Sequence, residues 1–369
     1  MIAVLEVLAS LRRAGAERVA VSIACGLERT RFKPAVVSLY DAFPGGFEAE
    51  LEAHGVPVFH LGKRRGFDPR MWTRLARVIR EVRPSIIHTH SYVLRYVMPA
   101  WMLARRGRVV HTVHNLAGRE VELAGRMVHR VAFRAGAVPV AISDEVARSF
   151  RETYGRDPGA VIYNGTEVEN GFQPGARDSW RRAQGFRSGD LLIVSLARFE
   201  AQKNPQGLIR AFARALPRLP SGSLVMAGEG TLLTECRELA SSLGISERIR
   251  FLGLCQDVAE LLSACDIFAL ASDWEGVPVA VIEAMAAGLP VVATAVGGAS
   301  ELVEEGVTGV LAPPRDVEAV SKAIVELASN PERLRQMSVQ ARKRAQRFDS
   351  AVMIESYARL FERLCGGAA

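Results

Sequence analysis

Residues 272–301 read SDWEGVPVAVIEAMAAGLPVVATAVGGASE, and how this stretch folds decides how the rest of the chain is read. Just before it, Ile267 to Leu270 is a short apolar run that suits a buried parallel strand. A turn at Gly276 then leads to Pro278, a residue favoured at the first position of a helix. Helix formers continue to Gly288, the expected C-terminal cap, and Leu289 to Ala293 makes the next strand. The stretch is therefore strand, loop, helix and strand, the repeating unit of a parallel sheet. Glu275 falls on the loop before the helix N-terminus, and Glu283 falls one to two turns inside the helix.

Two carboxylates so close in sequence raise the possibility of a hydrolytic acid and base pair. Their spacing argues against it, because eight residues of continuous helix would hold them about 12 Å apart, whereas glycosidase pairs need roughly 5–9.5 Å. Two acceptors beside a helix N-terminus fit better as holders of hydroxyl groups with a phosphate nearby.

Upstream, Leu191 to Leu196 starts the same sheet and runs into Ala197-Arg198-Phe199-Glu200-Ala201-Gln202-Lys203-Asn204-Pro205, where Asn204 caps a helix and Pro205 opens it. Two cations at a strand end beside a helix start suit a diphosphate whose negative charge grows as it leaves. Leu224 to Ala227 ends in Gly228-Glu229-Gly230 and Ile249 to Leu252 ends in Gly253, so these loops open at the same sheet edge. Downstream, Val296-Gly297-Gly298 offers further backbone amides.

The string EGVP…EAMAAGLPVVAT…GG…E, with Glu275-x7-Glu283, combined with Arg198 and Lys203, resembles the signature of the retaining, nucleotide-sugar-dependent glycosyltransferases of family four. The resemblance implies an α/β chain of GT-B fold: two Rossmann-like, doubly wound parallel-sheet domains facing an inter-domain cleft. It implies that Glu275 orients the donor sugar, Glu283 holds the ribose, and Arg198 and Lys203 stabilise the departing diphosphate. Gly276, Val277, Gly297, Gly298 and Gly253 join the donor site, with residues 253–258 nearing the base. Three positions depart from the family pattern: Ala197 replaces a glycine, Lys203-Asn204 replaces Lys-Gly, and Ala14-Gly15 replaces two glycines.

The front of the chain also alternates strands and helices. Ile2 to Leu8 leads to Gly15, where a glycine between a first strand and a first helix lets amides approach a phosphate. No third glycine follows at the spacing of a dinucleotide fingerprint. Ser85 to Thr89 delivers His88-Thr89-His90, and Arg108 to Val113 delivers His111-Thr112-Val113-His114-Asn115. Strand ends are where doubly wound sheets bind ligands, which puts His90, His114 and Asn115 beside an acceptor crevice. The resemblance places His114 near the donor sugar and acceptor. Four histidines make zinc conceivable, but no carboxylate or cysteine is grouped with them in sequence, and no metal is expected. Alternation points His88 and His90 one way and Thr89 the other.

All seven histidines lie in the first 130 residues, and the first 165 hold 25 Lys and Arg against 15 Asp and Glu. Arg119, Arg126, Arg130 and Arg134, on a helix that packs through Val128, Val131 and Ala132, could meet lipid phosphates, or simply face solvent. Arg70, Arg74, Arg77 and Arg80 read as a solvated stripe. Basic residues without interleaved aromatics, in a chain whose second half is acidic, do not suit nucleic acid.

Composition of 49% hydrophobic and 24% charged residues over 369 positions suits two soluble domains. No run of eighteen apolar residues and no signal peptide is found, so the expected location is cytoplasmic, at the inner face of the membrane if lipid is touched. Five cysteines in no metal-ligand spacing read as reduced thiols. The expected division is residues 1–170 for the acceptor and 171–350 for the donor, with a hinge across 167–189 whose middle forms a short helix, and a last helix, 351–369, returning to the first domain.

The expectation is a retaining hexosyltransferase that needs no cofactor. It moves sugar from a UDP-sugar, or in second place GDP-mannose, to a lipid-linked or cell-envelope or exopolysaccharide glycan. An epimerase of the same fold and a silent nucleotide-sugar-binding module are the alternatives. The first would release a free sugar or isomer without acceptor, and the second would bind without turnover.

Overall fold

The computed structural model describes residues 1–168, 175–255 and 257–366. Residues 169–174 of the expected hinge and Gln256 of the expected base-facing loop lie outside that set. The chain divides into two compact units, Met1–Gly165 with Ser350–Ala369, and Thr166–Asp349.

The first unit has seven parallel strands: β1 (Ile2–Leu8), β2 (Phe32–Ser38), β3 (Val58–His60), β4 (Ile86–His90), β5 (Arg108–Val113), β6 (Val138–Ala141) and β7 (Ala160–Val161). Their order across the sheet is β3-β2-β1-β4-β5-β6-β7. Strand order reverses at β1, and β1 and β4 pair with Glu6 opposite His88. The last helix, Ser350–Leu364, lays Met353, Tyr357, Leu360 and Phe361 into the same core as Val4, Val19, Ile86 and Val110. Burying each large side chain contributes about 1.5–3 kcal/mol, enough to hold the helix on this unit.

The second unit has six parallel strands: β8 (Leu191–Leu196), β9 (Gly222–Ala227), β10 (Ile249–Gly253), β11 (Ile267–Leu270), β12 (Val291–Thr294) and β13 (Gly309–Ala312). They are ordered β10-β9-β8-β11-β12-β13, so the reversal here falls between β8 and β11. Ligands of doubly wound sheets sit outside the carboxyl ends of the strands at such a reversal. Phe199, Phe212, Leu224, Ile267, Val292 and Ile324 share its core.

The short helix expected within the hinge stretch is Ala176–Ala183, and it carries Arg181, only 1% exposed, into the second unit. Two local expectations are corrected. Pro278 is the N-cap, and the helix runs Val279–Ala286, so Glu275 and Glu283 are not joined by continuous helix as the spacing argument assumed. Val131 is exposed rather than packed.

Candidate functional site

In the second unit, the connection after β8 and the connection after β11 meet at the reversal. The Lys203 Nζ lies 2.6 Å from the Glu275 Oε1, joining residues 72 apart in sequence. The Ser272 hydroxyl donates to the same oxygen at 2.6 Å, and the Gln202 amide stands 3.4 Å from Oε2. Glu275 is 4% exposed, which such donors make tolerable for a carboxylate. Asn204, beside Lys203, has φ +46 and caps the helix Pro205–Ala215 by accepting from the Gly207 N–H at 3.0 Å. Asparagine tolerates this left-handed conformation better than most residues do, which explains how it replaces the family's glycine.

Arg198 is exposed on the same connection, and its side chain makes no hydrogen bond or ion pair among the described residues. Glu283 is half-buried one turn inside its helix. Gly297 and Gly298 serve close backbone packing: a Cβ on Gly297 would lie 2.0 Å from the Glu275 carbonyl oxygen, and one on Gly298 would lie 2.4 Å from that of Gly276. The Gly298 N–H donates to the Gly276 oxygen at 2.6 Å, so this amide holds the Glu275 loop rather than being on offer to a phosphate. Val277 is buried beneath the same loop. Gly253 ends β10 at φ +70 with open space where a side chain would be.

Sequence reasoning missed the supports of this loop. Ser272, Gln202 and Asp273 sat beside chosen residues without being assigned a role. Asp273 accepts from Asn204 at 3.3 Å and from Arg315 at 2.8 Å. The Asp273 and Lys203 neighbourhoods are both built on polar side chains adjacent to a chosen residue, which was the one usable signal.

In the first unit, Gly15 opens the helix Gly15–Gly26, and nothing lies within 4 Å of where its Cβ would be. His88, His90 and His114 form a continuous network with Glu6, Thr112 and Tyr357. Glu6 lies 3.0 Å from His88 Nδ1 and 2.8 Å from His90 Nε2. His90 Nδ1 meets His114 Nε2 at 2.8 Å, His88 Nε2 meets the Thr112 hydroxyl at 2.7 Å, and Thr112 meets the Tyr357 hydroxyl at 2.8 Å. His90 Nδ1 and His114 Nε2 face one another, so one of the two nitrogens carries the proton and the other the lone pair. Burial holds His88 and His90 neutral, each pushed down to about 3, and burial raises Glu6.

Two expectations are corrected here. His90 is 1% exposed with both nitrogens engaged, so it does not line a crevice and instead contacts Glu6 and His114. Carboxylates are grouped with the histidines after all: Glu6 stands with His88 and His90, and Glu120 with His111 and His129. The pairing of β1 with β4, which sequence spacing does not display, brings Glu6 to His88 and His90, whereas Glu120 stands on the short helix that follows the strand of His111. Asn115 is half-buried and its side-chain oxygen accepts from the Leu116 N–H at 2.8 Å. Arg119, Arg130 and Arg134 are exposed, and Arg126 is half-buried.

Comparison with known proteins now bears on this geometry. Residues 13–170 match the model for Glycosyltransferase Family 4, and residues 176–344 match that for Glycosyl transferases group 1. The chain is 32% identical over 301 residues to a D-inositol 3-phosphate glycosyltransferase of Rhodococcus erythropolis, covering 74% of this chain and 67% of that one. It is 30% identical over 341 residues to the putative glycosyltransferase EpsD of Bacillus subtilis, covering 84% of each. Among solved structures, HepE of Anabaena in complex with UDP and glucose superposes with a TM-score of 0.88 at 25% identity, over 98% of this chain and 99% of that one. The chain belongs to glycosyltransferase family 4 and is built from the two Rossmann-like parallel-sheet units of the GT-B fold.

Proposed function

We propose that the enzyme is a retaining hexosyltransferase that takes its sugar from a UDP-sugar and passes it to a lipid-linked or cell-envelope glycan. The meeting of Lys203 and Glu275 at the strand-order reversal of the second unit carries this reading. A cation and a carboxylate held side by side there match the two ends of a sugar diphosphate. In this reading Arg198 and Lys203 take the diphosphate, Glu275 orients the sugar hydroxyls and Glu283 holds the ribose. UDP is placed before GDP because HepE, at 25% identity, has been solved with UDP and with UDP and glucose.

The bond from the anomeric carbon to the diphosphate breaks first, leaving an oxocarbenium-like ion pair. The acceptor hydroxyl attacks from the same face and passes its proton to a departing phosphate oxygen. Two side-chain cations supply the charge that a divalent ion would otherwise bring to the leaving group. Magnesium is therefore expected to leave the transfer rate unchanged, and a strict magnesium requirement would overturn this part.

The first unit takes the acceptor, with His114 beside it and Gly15 meeting the donor phosphate. Gly15→Ala meets nothing in the chain, so thermal melting should be unchanged while the KM for the donor rises about tenfold. An unchanged KM would remove Gly15 from the site.

On the helix Leu123–Arg134, Leu123, Met127 and Val131 are 72%, 59% and 63% exposed at i, i+4 and i+8, beside Arg130 and Arg134. An apolar stripe bordered by arginines fits an anionic bilayer surface. No helix among the described residues is long and apolar enough to cross a membrane. Vesicles containing phosphatidylglycerol should sediment the protein, and Leu123→Ser with Met127→Ser should release it. Equal sedimentation with purely zwitterionic vesicles would end this reading.

A further inference from the structure

We propose that His111, His129 and Glu120 bind a zinc ion that pins the connection carrying His114. The three come from β5, from the short helix Ala117–Glu120 and from the helix Leu123–Arg134, and one ligating atom of each lies within 4.8 Å of the others. A tetrahedral zinc with bonds near 2.0–2.2 Å separates its ligands by about 3.3 Å, so the cage closes with a movement of about an ångström and a half.

The strongest observation is what is left over. His111 Nε2 and Glu120 Oε2 are buried with no hydrogen-bond partner among the described residues, and they face one another at 3.9 Å. The His111 ring is fully buried and the Glu120 side chain is 3% exposed. Leaving both unpartnered in a packed interior is unfavourable, and one cation relieves both.

The surroundings prepare the three side chains. The Thr89 hydroxyl donates to the Val110 carbonyl, so it accepts from His111 Nδ1 at 2.8 Å and fixes the tautomer whose Nε2 carries the lone pair. Glu120 Oε1 accepts from the His114 N–H at 2.8 Å, which frees Oε2 and ties the site to the loop bearing His114. The Tyr154 hydroxyl occupies His129 Nδ1 at 3.3 Å, leaving Nε2 to ligate. Burial keeps both imidazoles neutral, as ligation requires, and pushes the Glu120 carboxyl up to about 7 for want of a compensating charge. Two imidazoles and one carboxylate form a zinc-type donor set, with a fourth position for water.

The neighbouring group of Glu6, His88 and His90 offers the same chemistry and makes a natural control. Its facing atoms are already joined by hydrogen bonds of 3.0 Å and 2.8 Å, so it has nothing left to give a metal. The proposed ion belongs to the first unit and is independent of the donor chemistry assigned to Arg198 and Lys203 in the second.

The test is metal analysis of the full purified chain, followed by stripping with a chelator and titration of zinc alone against a chromophoric competitor and by thermal melting. About one zinc per chain is expected, with zinc raising the melting temperature of stripped protein by mass action. Glu120→Gln is expected to weaken zinc binding more than about a hundredfold, since even outer partners are worth 10–100-fold. Glu6→Gln should leave the zinc affinity unchanged. Stripped wild-type protein that neither binds zinc nor melts higher in its presence would overturn the proposal, as would wild-type affinity in Glu120→Gln. If Glu120→Gln does not fold, the wild-type titration decides alone.

Discussion

Arg198→Ala is expected to lower the rate of sugar transfer about a hundredfold, equivalent to about 3 kcal/mol of transition-state stabilisation, while leaving thermal stability nearly unchanged. The two halves of this result have separate causes. Its guanidinium is exposed and makes no bond to the described residues, so little folding energy depends on it. A charge with no structural employment beside a helix start is free for an anion. Lys203→Ala should lose a similar factor in rate and also melt lower, because Glu275, 5% exposed at its side chain, would lose one of its two partners at 2.6 Å, the one that carries a charge. Steady-state kinetics on both variants, each with its own melting curve, separate the roles. Full activity in Arg198→Ala would remove it from the site.

Arg181→Met is expected to destabilise the second unit by about 3–5 kcal/mol, the range for breaking a buried ion pair. Arg181 is 1% exposed and donates to the carbonyls of Ala264, Ser188 and Asp190 at 2.7–2.8 Å and to Asp266 at 2.8 Å. Asp266 in turn takes Arg177 at 2.6 Å and the Leu192 N–H at 2.8 Å. Methionine fills much of the volume but leaves three carbonyls and a carboxylate short of donors. Urea unfolding should show a lower midpoint, and the Arg177→Met variant, whose side chain is 41% exposed, should fall far less. Equal midpoints for wild type and Arg181→Met would show that the cluster does not fasten this helix.

Both results bear on what the sequence could reveal. The strand ends of the second unit were legible because apolar runs, Asn204-Pro205 and Gly288 mark them locally. Glu275 and Lys203 were each chosen from local context, but their contact depends on β8 and β11 being neighbours, a fact of sheet order. The same limit hid Glu6, which stands 82 residues from His88 and reaches it only because β1 pairs with β4. The buried Arg181 was hidden differently. A short helix is legible inside this stretch rich in Gly, Pro and Arg, but nothing local says that one of its guanidiniums will be enclosed by carbonyls. Val131 was misassigned because helical periodicity gives an apolar face without saying whether anything covers it.

The central claim is that the second unit grips a sugar nucleotide through Arg198 and Lys203. Calorimetric titration of UDP into the wild type and into the double variant Arg198→Ala, Lys203→Ala tests it most directly. Saturable binding by the wild type, weakened in the double variant by about a hundredfold or more, is the predicted result. Equal affinity in the two proteins would contradict it.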